Sequence, residues 1–231
     1  MSISSIEPKT SRISGGVFFD LFGEDFLATA YDVAFNASMY ADQSYGGGTL
    51  TDVSDGTEFF IPNTVNASAR ALVDRIFGEA FDIEVDFENM IKSFPSIDKA
   101  RLLEIEVQNR NNLGQVVRCG FEYLDQTGHS AVIEYWDGST MVSREDISIN
   151  PNAVDSIRTV MAGRYAHGYL EMKDGSSLHI GKTSEIDFPS ANVLIGLKAP
   201  SNGYSREFNL KLKQVTLRTM VSLAGYPAEV I

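Results

Sequence analysis

The chain has 231 residues, 31 acidic against 19 basic side chains for a formal charge of -12, 43% hydrophobic residues and one cysteine. That is enough apolar material for the core of one domain in the ~200–250 residue range that β-sandwiches reach, which excludes wholesale disorder. The acidic balance argues against nucleic acid or an anionic membrane as a partner, since both are held by Lys and Arg; the lone Cys119 cannot close an intramolecular disulfide.

Residues 1–16, MSISSIEPKTSRISGG, show no periodicity and end in a glycine pair, and are read as an arm outside the core. They lack the apolar run of a signal peptide, so synthesis in the cytosol is expected, with later incorporation into a particle left open. No run of ~18 apolar residues follows that would span a membrane. A sandwich over residues 17–217 and a tail over 218–231 complete the expected organisation.

From Val17 onward the turn signals are Gly46-Gly47-Gly48, Asp55-Gly56, Thr127-Gly128, Asp137-Gly138, Asp174-Gly175 and Asn202-Gly203, dipeptides that tolerate the positive φ of tight hairpins. Residues 66–78 could be a helix capped by Asn66 or a strand; the strand is favoured because long helical patterns are scarce elsewhere. Over Phe81 to Glu88, Phe81, Ile83, Val85 and Phe87 share one face while Asp82, Glu84, Asp86 and Glu88 share the other. Leu103, Ile105 and Val107 repeat the pattern opposite Glu104, Glu106 and Gln108, with Arg101, Arg110 and Arg118 as candidates to pair across strands. Further strands are expected at Val116–Leu124, Ala131–Trp136, Ile157–Met161, Tyr169–Lys173, Val193–Ala199 and Glu207–Leu217. This spacing predicts an all-β protein of two antiparallel sheets packed face to face.

Four stretches carry a resemblance: VFFDLFGEDF (17–26), GEAFDIEVDF (78–87), SIRTVMAGRYAHGYLEMKDGSSLHIG (156–181) and NVLIGLKAPSNGYSREFNLKLKQVTL (192–217). In this order they resemble the opening strand, central strand, Arg-bearing hairpin and closing strands of the concanavalin A-like lectin/glucanase superfamily. That superfamily includes laminin G-like modules and family 16 glycoside hydrolases. The resemblance implies an antiparallel two-sheet jelly-roll sandwich. Glu84-Val85-Asp86-Phe87-Glu88 also fits the E-x-D-x-E strand of family 16. If the chain were an enzyme, the resemblance would make Glu84 the nucleophile, Asp86 its helper and Glu88 the acid/base, with the two carboxyl groups ~5–5.5 Å apart as retention requires. The competing reading is a solvated acidic face; the chain has only one tryptophan, whereas the enzymes line their clefts with several.

The remaining candidates are weaker. His129, His167 and His179 lack zinc-ligand spacing, and Cys119 alternates with Val117, Phe121 and Tyr123 as a buried small residue does. Asp52, Asp55 and Asp187 lie in turns, where some relatives of this fold hold calcium; turn chemistry alone accounts for them, and no cofactor is expected. Tyr40 and Tyr45 in a glycine-rich loop, together with Trp136, are candidates for glycan or partner contact. These observations favour a non-catalytic structural or recognition component of a larger assembly, such as a virus or phage particle, with protein partners or self-association through arm and tail and a glycan as a further partner. The alternatives are a lectin-like carbohydrate-binding module and a retaining β-glucan hydrolase.

Overall fold

The computed structural model describes residues 18–21, 24–34, 41–77, 81–88, 100–124, 128–162, 164–188, 190–198 and 208–222. In chain order its strands are β1 (Phe18–Leu21), β2 (Glu24–Ala34), β3 (Ala41–Asp42), β4 (Thr49–Val53), β5 (Gly56–Ile61), β6 (Ser68–Phe77), β7 (Phe81–Glu88) and β8 (Ala100–Asn109). They continue with β9 (Gln115–Leu124), β10 (Gly128–Asp137), β11 (Thr140–Ser148), β12 (Val154–Ala162), β13 (Tyr165–Met172), β14 (Ser177–Lys182), β15 (Ser190–Lys198) and β16 (Phe208–Ser222). One turn of 3-10 helix, Pro151–Ala153, precedes β12.

The strands form two antiparallel sheets. The first runs β1-β2-β16-β7-β12-β13-β14, with the β4–β5 hairpin joined to β16 through β5. The second runs β11-β10-β9-β8-β15-β6-β3. Gly138 (φ 64°) and Gly175 (φ 82°) supply the left-handed backbone that the β10–β11 and β13–β14 turns need.

The core lies between the sheets and is built by strict alternation. Ile83, Val85 and Phe87 of β7 face Leu103, Ile105 and Val107 of β8 and Val117, Cys119 and Phe121 of β9 within one buried cluster. Phe87 and Phe121 meet edge to face at 5.7 Å, a favoured geometry for aromatic pairs. Gly168 of β13 points inward, where a Cβ would stand 2.9 Å from Cys119 Sγ; the absent side chain lets the sheets close over the thiol.

Within the 66–78 stretch the structure forms a strand, β6 (Ser68–Phe77), which pairs with β15 from Ser68↔Lys198 to Phe77↔Ser190, while Gly78 lies outside the described residues. Ala67, Ala69 and Ala71 are all fully buried, so the period is two; Asn66 sits at φ 61° in a turn and caps no helix. β16 does not stop at Leu217. Arg218 to Ser222 continue the ladder, pairing with β2 from Arg218↔Ala30 to Ser222↔Phe26, so the first five residues assigned to the tail belong to the sandwich. The arm (1–16) and residues 223–231 lie outside the described residues.

Candidate functional site

β7 is a central strand, flanked by β12 on one side and β16 on the other. Its inward residues are spent on the core, so its carboxylates line the outward face of the nine-stranded sheet. The register groups that face into rows. Asp82, Val160, His167 and Lys182 form the first; Glu84, Arg158, Tyr169 and His179 the second; Asp86, Ser156, Glu171 and Ser177 the third. The first row is closed over up to Lys182, which is exposed: Asp82 and His167 are 1% and 2% exposed. The second and third rows are more open, with His179 exposed and Glu84, Asp86, Tyr169 and Glu171 half-buried. The result is a polar ledge beside a buried wall.

The wall is fixed by a buried ion pair. Arg158 donates from Nε and Nη2 to the two carboxylate oxygens of Asp82, at 2.8 and 2.7 Å, a bidentate arrangement that holds both groups in plane. Arg158 also lies 5.8 Å from the Tyr169 ring centre and 3.6 Å from Glu171. The alternation reading of an acidic strand in solvent therefore needs correcting at Asp82, which is buried because Arg158 supplies the opposite charge.

The outer E-x-D-x-E carboxylates engage different strands. Glu84 accepts from Ser156 Oγ of β12 at 2.7 Å, whereas Glu88 turns the other way, to Lys211 of β16 and, at 3.7 Å, to Lys213. Four residues of strand also separate their Cα atoms by about 13 Å. The hydrogen bond from Lys211 holds the Glu88 carboxyl below the ordinary glutamate range, the opposite of what a general acid needs. The depression beside Glu88, about 200 Å³, is lined by Glu58, Glu88, Asn209, Leu210 and Lys211 with no ring among them.

The histidines make a contact that their sequence spacing does not suggest. His167 Nδ1 lies 3.3 Å from His179 Nε2. Tyr169 closes the group, its ring centre 4.9 Å from that of His179. Burial, then the neighbouring His179 and Lys182, push the His167 imidazole down to about 4, so its ring is neutral at physiological pH. The hairpin signal Asp174-Gly175 could have revealed the pairing, since an antiparallel return about that turn sets β14 against β13.

The outward face of the other sheet holds a second set of charges. Glu106, Arg118, Glu134 and Arg144 stand in one row across β8, β9, β10 and β11. Arg118 Nε meets Glu106 at 2.8 Å, Arg70 of β6 meets it from the far side, and Arg144 Nη1 reaches Glu134 at 3.4 Å. Glu104 and Glu106 are both buried, not solvated, and these ion pairs offset the burial of Glu106; Arg118 is the partner expected from the sequence, whereas Arg70 and Arg144 are not. Burial raises the Glu106 carboxyl and the two arginines more than reverse that, leaving it below its usual range.

The other sequence candidates are scattered. Tyr45 is exposed beside β6, bridging to Ser68, while Trp136 lies on β10 under Arg118, near the opposite edge of that sheet; they form no common site, and Tyr40 lies outside the described residues. Asp52 accepts from Thr57 Oγ1 at 2.7 Å and Asp55 from Lys211 at 2.8 Å, while Asp187 belongs to a different loop. Among the described residues no three His, Cys, Asp or Glu side chains are grouped to hold a metal. Cys119 is fully buried, and burial pushes its thiol up to about 12.

No family model matches the sequence, and no curated protein does. Solved structures do match. Peanut lectin superposes with a TM-score of 0.55 at 13% identity, over 84% of this chain and 98% of its own. Lectin II from Ulex europaeus gives 0.55 at 10% identity, over 83% and 98%. The kappa-carrageenase from Pseudoalteromonas carrageenovora, solved with an oligosaccharide of kappa-carrageenan, gives 0.54 at 10% identity, over 94% and 100%. What is shared at such identities is the architecture, and this chain has the concanavalin A-like jelly-roll fold.

Proposed function

We propose that the protein is a non-catalytic recognition module that binds a saccharide on the ledge of the nine-stranded sheet. The observation that carries this reading is the open second row: the flat Tyr169 and His179 rings stand beside Arg158 and Glu84. A sugar needs such a pairing, since its apolar C–H face stacks on a ring while its hydroxyls exchange hydrogen bonds with polar groups held in place. The diverging engagement of Glu84 and Glu88, with Glu88 held ionised, supports binding over hydrolysis. The lectin neighbours are consistent with it as analogy of fold. A glycan microarray tests the reading: the wild type binds a defined set of sugars and Tyr169→Ala loses them. An array without signal, or binding unaffected by Tyr169→Ala, refutes it, and reducing-sugar release from β-1,3- or mixed-linkage glucan that vanishes in Glu84→Gln would make the protein an enzyme.

A second reading, contact within a larger assembly such as a virion, is favoured by Leu113, Met141 and Val142. All three are about half exposed, at the end of the seven-stranded sheet where Gly114 and Gly138 touch. Apolar groups left in water at one place suit a protein neighbour. Light scattering on the purified chain tests this: self-association abolished by Met141→Glu with Val142→Glu supports it, and a monomer at every concentration counts against self-assembly.

A further inference from the structure

The two histidines of the β13–β14 hairpin are spaced for an ion. The contacting atoms, His167 Nδ1 and His179 Nε2, are 3.3 Å apart, a separation that either one N–H···N hydrogen bond or a shared ion spans. Two nitrogens bound to one tetrahedral zinc at ~2.0–2.1 Å stand about 3.3–3.4 Å apart, with their ring centres about 5.2 Å apart. Here the ring centres are 5.4 Å apart and the planes 23° from parallel.

We propose that His167 Nδ1 and His179 Nε2 form a two-histidine site for a zinc-class divalent ion, its remaining positions open to water at the ledge. The surroundings suit one ligand fixed and one adjustable. His167 is buried against Val160 in the wall, which holds its ring in place. His179 is exposed and braced by the Tyr169 ring. Of the nearby charges, Arg158 is neutralised by Asp82 and lies beyond Tyr169. Lys182, opposite His167 in register, holds its ammonium 5.2 Å from the Tyr165 ring centre. That ammonium is the main electrostatic opposition to the ion, so the site is a weak one that removing Lys182 strengthens. The inference goes beyond saccharide recognition, and its test needs no sugar.

Isothermal titration of the full chain with zinc chloride at pH 7.5 is the experiment, repeated with His179→Gln and Lys182→Met. One ion per chain is expected, bound roughly tenfold or more weakly by His179→Gln, as loss of a ligand should cost at least what loss of a supporting contact does, and more tightly by Lys182→Met. The imidazole nitrogen resonances of the wild type provide a readout independent of any variant: zinc should shift Nδ1 of His167 and Nε2 of His179 together. Uptake that His179→Gln leaves unchanged, no uptake at millimolar zinc, or a titration in which these two resonances stay still would overturn the site and leave the pair as a hydrogen bond.

Discussion

Replacing Arg158 by Met keeps the apolar stem of the side chain but removes the guanidinium, and with it both bonds to Asp82 and the contact with the Tyr169 ring. Asp82 is 1% exposed, so water cannot take over for the lost guanidinium. Breaking one side of a buried pair costs ~3–5 kcal/mol, because the desolvation penalty of the survivor is no longer offset. Asp82 has contacts besides Arg158, which places the expected loss at the low end, about 3 kcal/mol. For a domain of this size that corresponds to a drop of roughly 6–12 °C in melting temperature. Asp82→Asn in the Arg158→Met background should recover most of it, since the neutral amide carries a far smaller burial cost. Urea and thermal unfolding of the three proteins, followed by circular dichroism, measures the cycle. If Arg158→Met unfolds within about 0.5 kcal/mol of the wild type, the pair is not a desolvated one, and the buried wall along the ledge is wrongly drawn.

Val85→Asp should be far more damaging than Asp86→Val, because Val85 is fully buried in the core and Asp86 lies on the ledge; equal melting temperatures would show the β7 register to be off by one. Cys119 should resist a thiol-specific reagent such as dithionitrobenzoate in the native state and react on denaturation, given its burial and a thiol raised to about 12; fast native labelling would contradict the closed core. Acid should destabilise the fold in two ways that can be separated. His167 protonates near 6.5 when unfolded but only near 4 when folded, so the unfolded chain gains protons first and up to about 3 kcal/mol of stability is lost as pH falls between those values. Glu106, held below its unfolded value of 4.5, contributes stability that is present above pH 4.5 and is lost as pH falls through its folded value. Stability measured against pH for His167→Gln and Glu106→Gln checks both: the first should flatten the upper part of the curve and the second the acid limb, and parallel curves for all three proteins would refute the assignments.

Alternation along the chain was enough to place the core. Ile83, Val85, Leu103, Ile105, Val107 and Cys119 all read as inward-facing, and all are fully buried, because a period of two is a property of each strand taken alone. What alternation cannot carry is the neighbour. Asp82 and Arg158 are 76 positions apart and Arg70 and Glu106 are 36 apart; only strand order makes them adjacent, and strand order arises from the packing of both sheets together. The same gap explains why an acidic strand looked solvated: its outward carboxylates are visible in the sequence, whereas the arginines that allow some of them to be buried come from other strands.

The E-x-D-x-E strand shows where resemblance and geometry part. The motif fixes which residues share a face, but retaining hydrolysis depends on two carboxyl groups approaching one sugar carbon, and on one of them keeping its proton. Both conditions are set by the flanking strands. Ser156 on β12 draws Glu84 to one side, and Lys211 with Lys213 on β16 draws Glu88 to the other and keeps it ionised. The lysines sit in register with Glu88 because β16 pairs Lys211 to it directly and bulges between Leu212 and Gln214, which brings Lys213 within reach as well. Here the charges of β16 engage Glu88 and favour its ionised form, and the face presents a set of oriented donors, acceptors and rings.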